Sequence, residues 1–298
     1  MKLDDECTNC ILKRADRILQ RNQHPDPSKI LDLIELKFKN LNNQQFWISN
    51  YLCPAQLGTI RNQVLADNNI IDLYTEERKL GMKLGKTLFE RYFDRVSLND
   101  AIMLALLGNG IEFDIAGNEK GIIQITNEIE NDISKLHQDI YFQNTIKQVS
   151  NWISQLEGTK VTYLLDNVGE HFLDALLMHE LIKKGWKIDV IVKGSEVLND
   201  VTNKEMEEFP LEITIHKTNN NDVGLFLSRI SPKLFNLIQS AELLIIKGMA
   251  MFESLSPVTL SPPTLFLLKA KCLPVANITG VELNDYVIHY QENTSWLH

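Results

Sequence analysis

The feature that most constrains the fold is a series of short apolar, β-rich runs in the second half of the chain, with helical patterns between several of them. Six such runs follow residue 160: VTYLLD, KIDVIVK, LEITIHK, ELLIIKG, TLFLLKA and YVIHY. EHFLDALLMHELIKKG and SRISPKLFNLIQSA are the clearest of the intervening helical patterns. Nearly continuous apolar strands that alternate with helices are typical of a parallel sheet covered on both faces. The sequence therefore predicts an α/β fold with three layers, α/β/α, around a mostly parallel sheet.

The chain before about residue 107 has helical periodicity and no convincing strand pattern. Apolar residues recur at helical spacing in SKILDLIELKFKNL and in YTEERKLGMKLGKTLFERYF. SLNDAIMLALLGNG is typical of a capped apolar helix that ends at Gly108, and a long helical stretch is predicted from about Thr126 to Leu156. We therefore expect a helical N-terminal subdomain over residues 1–107 and an α/β domain over residues 108–298.

Composition and charge exclude several classes of protein. The chain has 298 residues, of which 44% are hydrophobic and 23% charged, as in ordinary globular proteins. Its net charge of -9 argues against non-specific nucleic-acid binding, which needs clustered Lys and Arg. No apolar run approaches the roughly 18 residues of a membrane span, and the acidic start MKLDDEC lacks the apolar core of a signal peptide. These features predict a soluble cytoplasmic protein.

The cysteines leave three interpretations open for the N-terminal segment. Cys7 and Cys10 form a CxxC pair, whereas Cys53 and Cys272 stand alone in the sequence. A CxxC pair can be half of a zinc site, a redox pair, or two small residues buried in a core. A closed zinc site needs four ligands, and no βαβ unit surrounds the pair, so structural packing is the favoured interpretation.

One glycine-rich segment imitates a nucleotide-binding loop. GMKLGKT, from Gly81 to Thr87, is one residue short of the phosphate-binding pattern because Leu80 occupies the place of the first glycine. The segment also follows a polar helical stretch instead of a buried strand. It therefore does not predict a nucleotide site.

Polar side chains follow three of the predicted strands at the point where each strand ends. Asp166 and Asn167 end the first run, Asp200 follows the second, and Lys247 with Gly248 ends the fourth. Ligands of open parallel sheets bind outside the carboxyl ends of the strands. If these strands are parallel, two carboxylates, an amide and an ammonium group converge on one edge of the sheet.

This set of groups suits a metal-assisted phosphoryl site. Two aspartates and an asparagine supply the hard oxygen ligands that Mg²⁺ or Mn²⁺ prefers. Gly169 and a helix that begins near Glu170 present backbone N–H groups to an anion, and Lys247 adds a positive charge. The alternative is purely structural, because Asp, Asn and Gly are common in the turns between strands and helices. Spacing alone leaves both interpretations open.

Six short motifs also occur in a characteristic order along nearly the whole chain. They are CTNC from Cys7, GNGIE from Gly108, DNVGE from Asp166, NDVT from Asn199, KGMAMFE from Lys247 and KCLPV from Lys271. Together they resemble the damage-control phosphatases, a former domain-of-unknown-function family also named for a reported acidic-residue methyltransferase. The resemblance is strongest to the shorter prokaryotic branch, which begins with a CxxC pair.

The resemblance implies a three-layer α/β/α domain with a helical N-terminal part. It also implies metal-dependent hydrolysis of small phosphorylated metabolites, either sugar phosphates or damaged phospho-cofactors. The family's metal ligands correspond to Asp166, Asn167 and Asp200, and the expected cation is Mg²⁺, Mn²⁺, Co²⁺ or Ni²⁺. We assign catalytic roles to Asp166, Asp200 and Lys247. The expected substrate-binding residues are Asn109, Glu112, Gly169, Gly248 and Glu253.

The chain departs from the family pattern beside the predicted site. Met249 and Met251 stand where the family usually has Gln and Asn, and Glu112 replaces the usual Asp. We therefore expect a more apolar pocket and a shifted substrate range. Two alternatives keep the fold: an S-adenosylmethionine-dependent carboxyl methyltransferase, which the single glycine of DNVGE disfavours, and a non-catalytic metabolite-binding protein, which the methionines favour.

Overall fold

The N-terminal part of the chain is helical. The computed structural model describes residues 1–41, 52–70, 74–111, 114–115, 118–119 and 121–291. The first three helices are α1 (Asp5–Arg21), α2 (Pro27–Lys39) and α3 (Pro54–Asp67). Their apolar faces enclose a small core that contains Leu19, Ile34 and Leu57. Side chains of Asp4 and Asp26 cap the first two helices by accepting hydrogen bonds from backbone N–H groups of the first turn.

The next elements connect this helical part to the sheet. They are α4 (Thr75–Tyr92), α5 (Leu98–Gly108), the short antiparallel strands β1 (Asp114–Ile115) and β2 (Asn118–Glu119), α6 (Ile122–Gln138) and α7 (Ile140–Gln155). The long helix predicted from Thr126 to Leu156 is instead two helices. The break lies at Asp139, whose side chain accepts a hydrogen bond from the N–H of Phe142 and so begins a new helix.

Each of the six predicted strands is present. The remaining elements are β3 (Lys160–Leu164), α8 (Glu170–Lys183), β4 (Lys187–Val192), β5 (Thr214–Lys217), α9 (Pro232–Gln239), β6 (Leu243–Lys247), α10 (Met249–Leu255), β7 (Thr264–Lys269), α11 (Leu273–Thr279) and β8 (Tyr286–Gln291). The strand order is β5-β4-β3-β6-β7-β8. All neighbouring strands are parallel except β7 and β8. The predicted α/β fold with a mostly parallel sheet is confirmed.

Both faces of the sheet are covered. Val161 and Tyr163 of β3 face a core shared with α5, α7 and α8. Leu164 of the same strand faces a second core, which α9, α10 and α11 complete. This alternation follows from the opposite directions of successive side chains in a strand. Among the helices that the structure describes, none is both long and apolar enough to cross a membrane.

The strand order reverses at the middle of the sheet. After β3 the chain builds β4 and β5 on one side, and it then returns to form β6 on the other side of β3. Such a reversal opens a crevice at the carboxyl ends of the two central strands. Helix α4 and all but the last residue of α5 lie before residue 108, yet both helices share the core of the sheet, so the boundary at residue 107 stays a prediction.

Candidate functional site

The structure brings the predicted metal ligands together at the carboxyl edge of the sheet. Asn167 and Asp200 form an isolated antiparallel bridge between the loops that follow β3 and β4. The N–H of Val201 donates to the carbonyl oxygen of Asp166 at 2.8 Å. Backbone pairing therefore fixes the two loops side by side, with Asp166, Asn167 and Asp200 adjacent.

The carboxylate of Asp166 is buried and held by two amides. The Nδ2 atom of Asn109 donates to its Oδ2 at 3.0 Å, and Nδ2 of Asn167 donates to the same atom at 2.9 Å. Gly248 makes room for this carboxylate, since a Cβ at this position would overlap it. The φ of +84° at Gly248 also favours glycine. Gly248 thus shapes the floor of the site.

Asn109 links helix α5 to the site through both ends of its side chain. Its Nδ2 lies 3.2 and 3.1 Å from the two carboxylate oxygens of Glu170, in addition to its contact with Asp166. Its Oδ1 accepts a hydrogen bond from the N–H of Lys269 at 3.0 Å. Asn109 is 1% exposed, and its hydrogen bonds orient the carboxylates of Asp166 and Glu170.

Lys247 is fully buried in an ion-pair network beneath the Asp166 loop. Its Nζ donates to Glu170 Oε2 at 3.0 Å and to Asp174 Oδ1 at 2.8 Å. The hydroxyl of Tyr163 also donates to Asp174 Oδ1, at 2.7 Å. Burial opposes the charged ammonium, but the carboxylates of Asp174 and Glu170 outweigh it and raise the pKa of Lys247. The structure therefore places the ammonium against carboxylates of its own chain.

The acidic groups of the site are crowded. Burial, together with the charges of Glu170 and Asp200, raises the pKa of Asp166 well above its usual range. Burial also raises the pKa of Asp200, although Lys193 and Arg78 act in the opposite direction. Burial would do the same for Glu170, but Lys247 and Lys271 outweigh it and lower the pKa of Glu170. The charges of Glu170 and Asp200 thus act against ionisation of Asp166.

Two lysines at the site were not assigned from the sequence. Lys193 follows β4, and its Nζ lies 3.5 Å from Asp200 Oδ2 while donating to the carbonyl oxygen of Asp222 at 2.8 Å. Lys271 follows β7 and is partly exposed, and its charge lowers the pKa values of Asp166 and Glu170. Lys193 comes directly after β4 and Lys271 two residues after β7, and this position at strand ends is the signal that could have identified them.

The sequence matches a known protein family over nearly the whole chain. The family model described as the damage-control phosphatase ARMT1-like domain matches residues 3–287. The chain belongs to this family. The predicted family resemblance is therefore confirmed, while the assignment to its CxxC-containing branch stays a prediction.

Relatives of this family match along nearly their whole lengths. A damage-control phosphatase from Archaeoglobus fulgidus is 28% identical, with 96% of this chain and 98% of the relative covered. One from Pyrococcus horikoshii is 26% identical, with 93% of each covered. An uncharacterized protein from Methanocaldococcus jannaschii is 26% identical, with coverage of 97% and 95%. The crystal structure of a DUF89 family protein from Pyrococcus horikoshii shares the fold, with a TM-score of 0.79, 23% identity and coverage of 96% and 98%.

The donor set fits the hard divalent cation that the family resemblance implies. Asp166 and Asp200 supply carboxylate oxygens, and Asn167 can supply Oδ1 because its Nδ2 donates to Asp166. A cation among them would favour the charged form of Asp166, whose pKa is raised by burial and by the charges of Glu170 and Asp200. Within the described ranges, no group of three or more His, Cys, Asp and Glu side chains is arranged to hold a metal ion, so a cation held here would also use the amide oxygen of Asn167.

Of the expected substrate-binding residues, one has another partner and one lies outside the described residues. Gly169 has a φ of +99° and precedes α8, and its N–H donates to Nδ1 of His171 at 3.0 Å. The N–H of Gly169 is therefore directed at a side chain of its own helix. Glu112, in the family's Gly-Asn motif, lies outside the residues that the structure describes.

Glu253 faces the helical N-terminal part. It lies on α10 with 7% exposure, and burial raises its pKa to about 7. Burial also raises the pKa of Cys53 to about 12, and the charge of Glu253 acts in the same direction. Cys7 is buried and Cys10 is exposed. Helix α10 packs on α3, and the N-terminal ammonium group of Met1 donates to the carbonyl oxygen of Glu253 at 2.8 Å.

The two methionines of the altered motif occupy different surroundings. Met251 is 2% exposed and packs in the core beneath α9 and α11. Met249 is partly buried, and its Sδ lies 3.9 Å from Sγ of Cys272. Met251 is therefore a core residue, and Met249 is the one of the two that can border the site.

Proposed function

We propose that this chain is a metal-dependent phosphatase of small phosphorylated metabolites, either sugar phosphates or damaged phospho-cofactors. The observation that carries the proposal is the meeting of Asp166, Asn167 and Asp200 where the sheet reverses its strand order. Relatives named damage-control phosphatases, aligned over nearly the whole chain, support the reaction class.

The proposed ligands of the cation are Asp166, Asn167 and Asp200. Hard oxygen donors suit Mg²⁺ or Mn²⁺, and Co²⁺ and Ni²⁺ also accept such ligands. When bound, a divalent cation would supply Lewis-acid polarisation of the phosphoryl group and a position for the attacking water. Asp166 and Asp200 are catalytic in this proposal because they hold the reacting groups in place.

The other residues of the site prepare it for a dianionic substrate. Lys271, partly exposed and close enough to influence both Asp166 and Glu170, is the proposed phosphoryl-binding cation. The positive end of the α8 dipole at Gly169 favours negative charge at the same edge. Lys247, fully buried against Glu170 and Asp174, acts in this proposal through the charge and position of Glu170. Asn109 and Gly248 keep the Asp166 carboxylate in place.

Phosphate release from a panel of phosphometabolites tests the proposal. The purified chain is assayed with Mg²⁺, Mn²⁺, Co²⁺ or Ni²⁺ and again after treatment with a chelator. Metal-dependent release from one or more sugar phosphates or phospho-cofactors is the expected result. Binding of phosphometabolites without release would favour a non-catalytic binding protein. Transfer of a methyl group from S-adenosylmethionine to protein carboxylates, with no phosphate release, would overturn the proposal.

A further inference from the structure

Helix α4 contacts both loops that carry the candidate metal ligands. Its Gly81 lies against the Asp166 loop so closely that a Cβ there would be 2.7 Å from the carbonyl oxygen of Val168. One turn later, a Cβ on Gly85 would overlap the carbonyl oxygen of Gly169. The two glycines that imitate a nucleotide-binding loop therefore allow a helix to pack directly on the backbone of the site.

The same helix reaches the Asp200 loop through Arg78. The guanidinium of Arg78 is buried, with 7% exposure of the residue. Its Nη2 donates to the carbonyl oxygens of Leu198 at 3.1 Å and Asp200 at 2.9 Å. Its Nη1 donates to Oε1 of Glu205 at 2.9 Å. One side chain thus holds three points of the loop that presents Asp200.

Glu205, the ion-pair partner of Arg78, binds the same loop at its other end. Its Oε2 accepts hydrogen bonds from the N–H of Thr202 at 3.0 Å and from the Thr202 hydroxyl at 2.6 Å. Arg78 and Glu205 form a buried ion pair, which therefore binds both Asp200 and Thr202. The backbone on both sides of the Asp200 carboxylate is fixed before any ligand arrives.

The loop also contains a backbone conformation that needs support. Leu198 has a φ of +51°, in the left-handed region that a branched side chain rarely adopts. Such a residue costs about 1–3 kcal/mol unless its surroundings determine its conformation. Arg78 binds the carbonyl oxygen of this residue, so its hydrogen bonds stabilise the strained turn that leads to Asp200.

We propose that Arg78 is a positioning residue that holds Asp200 in the orientation required to bind the divalent cation. This role rests on the proposed function, in which Asp200 is a metal ligand. Arg78 contacts the backbone of Asp200 and acts through it, without touching the cation or the substrate. Helix α4, which precedes the sheet, thereby sets the geometry of a site at the carboxyl ends of the strands.

A pair of variants separates positioning from general stability. Arg78→Met removes the guanidinium but leaves Glu205 buried without its charge partner, which destabilises the fold. Arg78→Met combined with Glu205→Gln removes both charges, and the glutamine oxygen can still accept from Thr202. Arg91→Met is the matched control, because Arg91 lies on the same helix in an exposed pair with Glu130.

Binding of Mn²⁺ and amide hydrogen exchange in the metal-free protein are both measured. We expect the double variant to recover thermal stability relative to Arg78→Met, yet to bind Mn²⁺ about 10–100-fold more weakly than the wild type. The amides of Asp200 and Val201 should exchange at least about tenfold faster in the double variant. Arg91→Met should match the wild type in both measurements.

The outcomes distinguish this proposal from the proposed function. If the wild type binds no Mn²⁺, Mg²⁺, Co²⁺ or Ni²⁺, the metal-dependent function fails and the role of Arg78 in metal binding fails with it. If the wild type binds Mn²⁺ and the double variant binds it equally well with unchanged exchange at Asp200, only the positioning role is overturned. Weaker Mn²⁺ binding by the double variant, with intermediate binding by Arg78→Lys, supports the proposal.

Discussion

At the scale of single residues, the site is a set of buried carboxylates held by cations of different exposure. Lys247 is fully buried and binds two carboxylates, Lys193 is 2% exposed beside Asp200, and Lys271 is partly exposed. Only the last has a surface position suited to an incoming phosphate. Replacing a lysine by methionine should therefore affect stability and activity differently in these three environments.

Replacing Lys247 and Lys271 by methionine should separate stability from activity. Lys247→Met leaves Glu170 and Asp174 buried without their cation, so we expect a loss of about 3–5 kcal/mol in the free energy of unfolding. Lys271→Met should change stability little and lower kcat/KM about 100-fold or more, as expected for the loss of one charged group that binds the transition state. Denaturant unfolding and steady-state kinetics measure the two effects. If Lys271→Met instead loses stability and Lys247→Met loses only kcat/KM, Lys247 and not Lys271 contacts the substrate.

Glu253 should make stability depend on pH in a defined direction. Burial raises its pKa from 4.5 to about 7, so the folded state holds a proton that the unfolded state releases. The unfavourable contribution of this group is absent well below pH 4.5, grows between about pH 4.5 and 7, and is complete above pH 7.

Glu253→Gln removes this contribution. The variant should therefore gain stability relative to the wild type as pH rises through that interval, by at most roughly 3 kcal/mol. Thermal unfolding at pH 5 and pH 8 measures the gain, with exposed Glu212→Gln as the control. A larger advantage at pH 5 than at pH 8 would contradict the buried, charged state of Glu253.

At the scale of elements, helix α4 shows how a local sequence pattern can have a tertiary cause. Glycine destabilises a helix interior by about 1 kcal/mol relative to alanine. Gly81 and Gly85 nevertheless occur one turn apart in α4, because the backbone of Val168 and Gly169 occupies the space that their side chains would need. The close approach of α4 to the Asp166 loop therefore outweighs helix propensity.

Gly85→Ala should destabilise the chain in spite of its better helix propensity. The new Cβ would overlap the carbonyl oxygen of Gly169 and lie 2.6 Å from a ring carbon of Phe172. We expect a loss of about 1–3 kcal/mol in the free energy of unfolding, as for other overpacked sites. Thr87→Ala, at an exposed position of the same helix, is the control. A gain in stability for Gly85→Ala would show that α4 does not press on the loop.

The elements also show which parts of the fold can be predicted from sequence. All six strands of the main sheet were predictable, because β-branched and apolar runs bounded by polar residues carry a strong local signal. Asp166 and Asn167 were predicted as site residues because they end such a run, and Asp200 because it follows the next run. The break at Asp139 was missed because one capping side chain outweighed the helical periodicity around it.

Other parts of the site depend on contacts between residues far apart in sequence. Arg78 binds a loop about 120 residues later, and no local pattern distinguishes it from the other basic residues of its helix. Lys247 was predicted to reach a phosphate, whereas its burial against Asp174 depends on the packing of α8 on the sheet. Local sequence thus indicates which residues end strands, while packing determines which of them are exposed to a ligand.

At the scale of the whole molecule, the site is assembled from nearly the full length of the chain. Helices α4 and α5, the loops after β3 and β4, and the ends of β6 and β7 each contribute at least one group. The order β5-β4-β3-β6-β7-β8 brings these groups to one edge of the sheet. We propose that a divalent cation binds there, on Asp166, Asn167 and Asp200.

Binding of this cation can be measured by calorimetric titration of the metal-free protein with MnCl₂, using the wild type, Asp166→Asn, Asp200→Asn and the exposed control Asp32→Asn. Each asparagine keeps the shape of the side chain and removes one charged ligand. We expect one Mn²⁺ site in the wild type and the control, and a loss of at least about 100-fold in affinity in both site variants, because a neutral amide oxygen replaces a charged ligand that binds the cation directly, whereas even supporting residues contribute 10–100-fold. Equal affinity and stoichiometry in all four proteins, or no binding by the wild type, would show that these residues do not hold a cation.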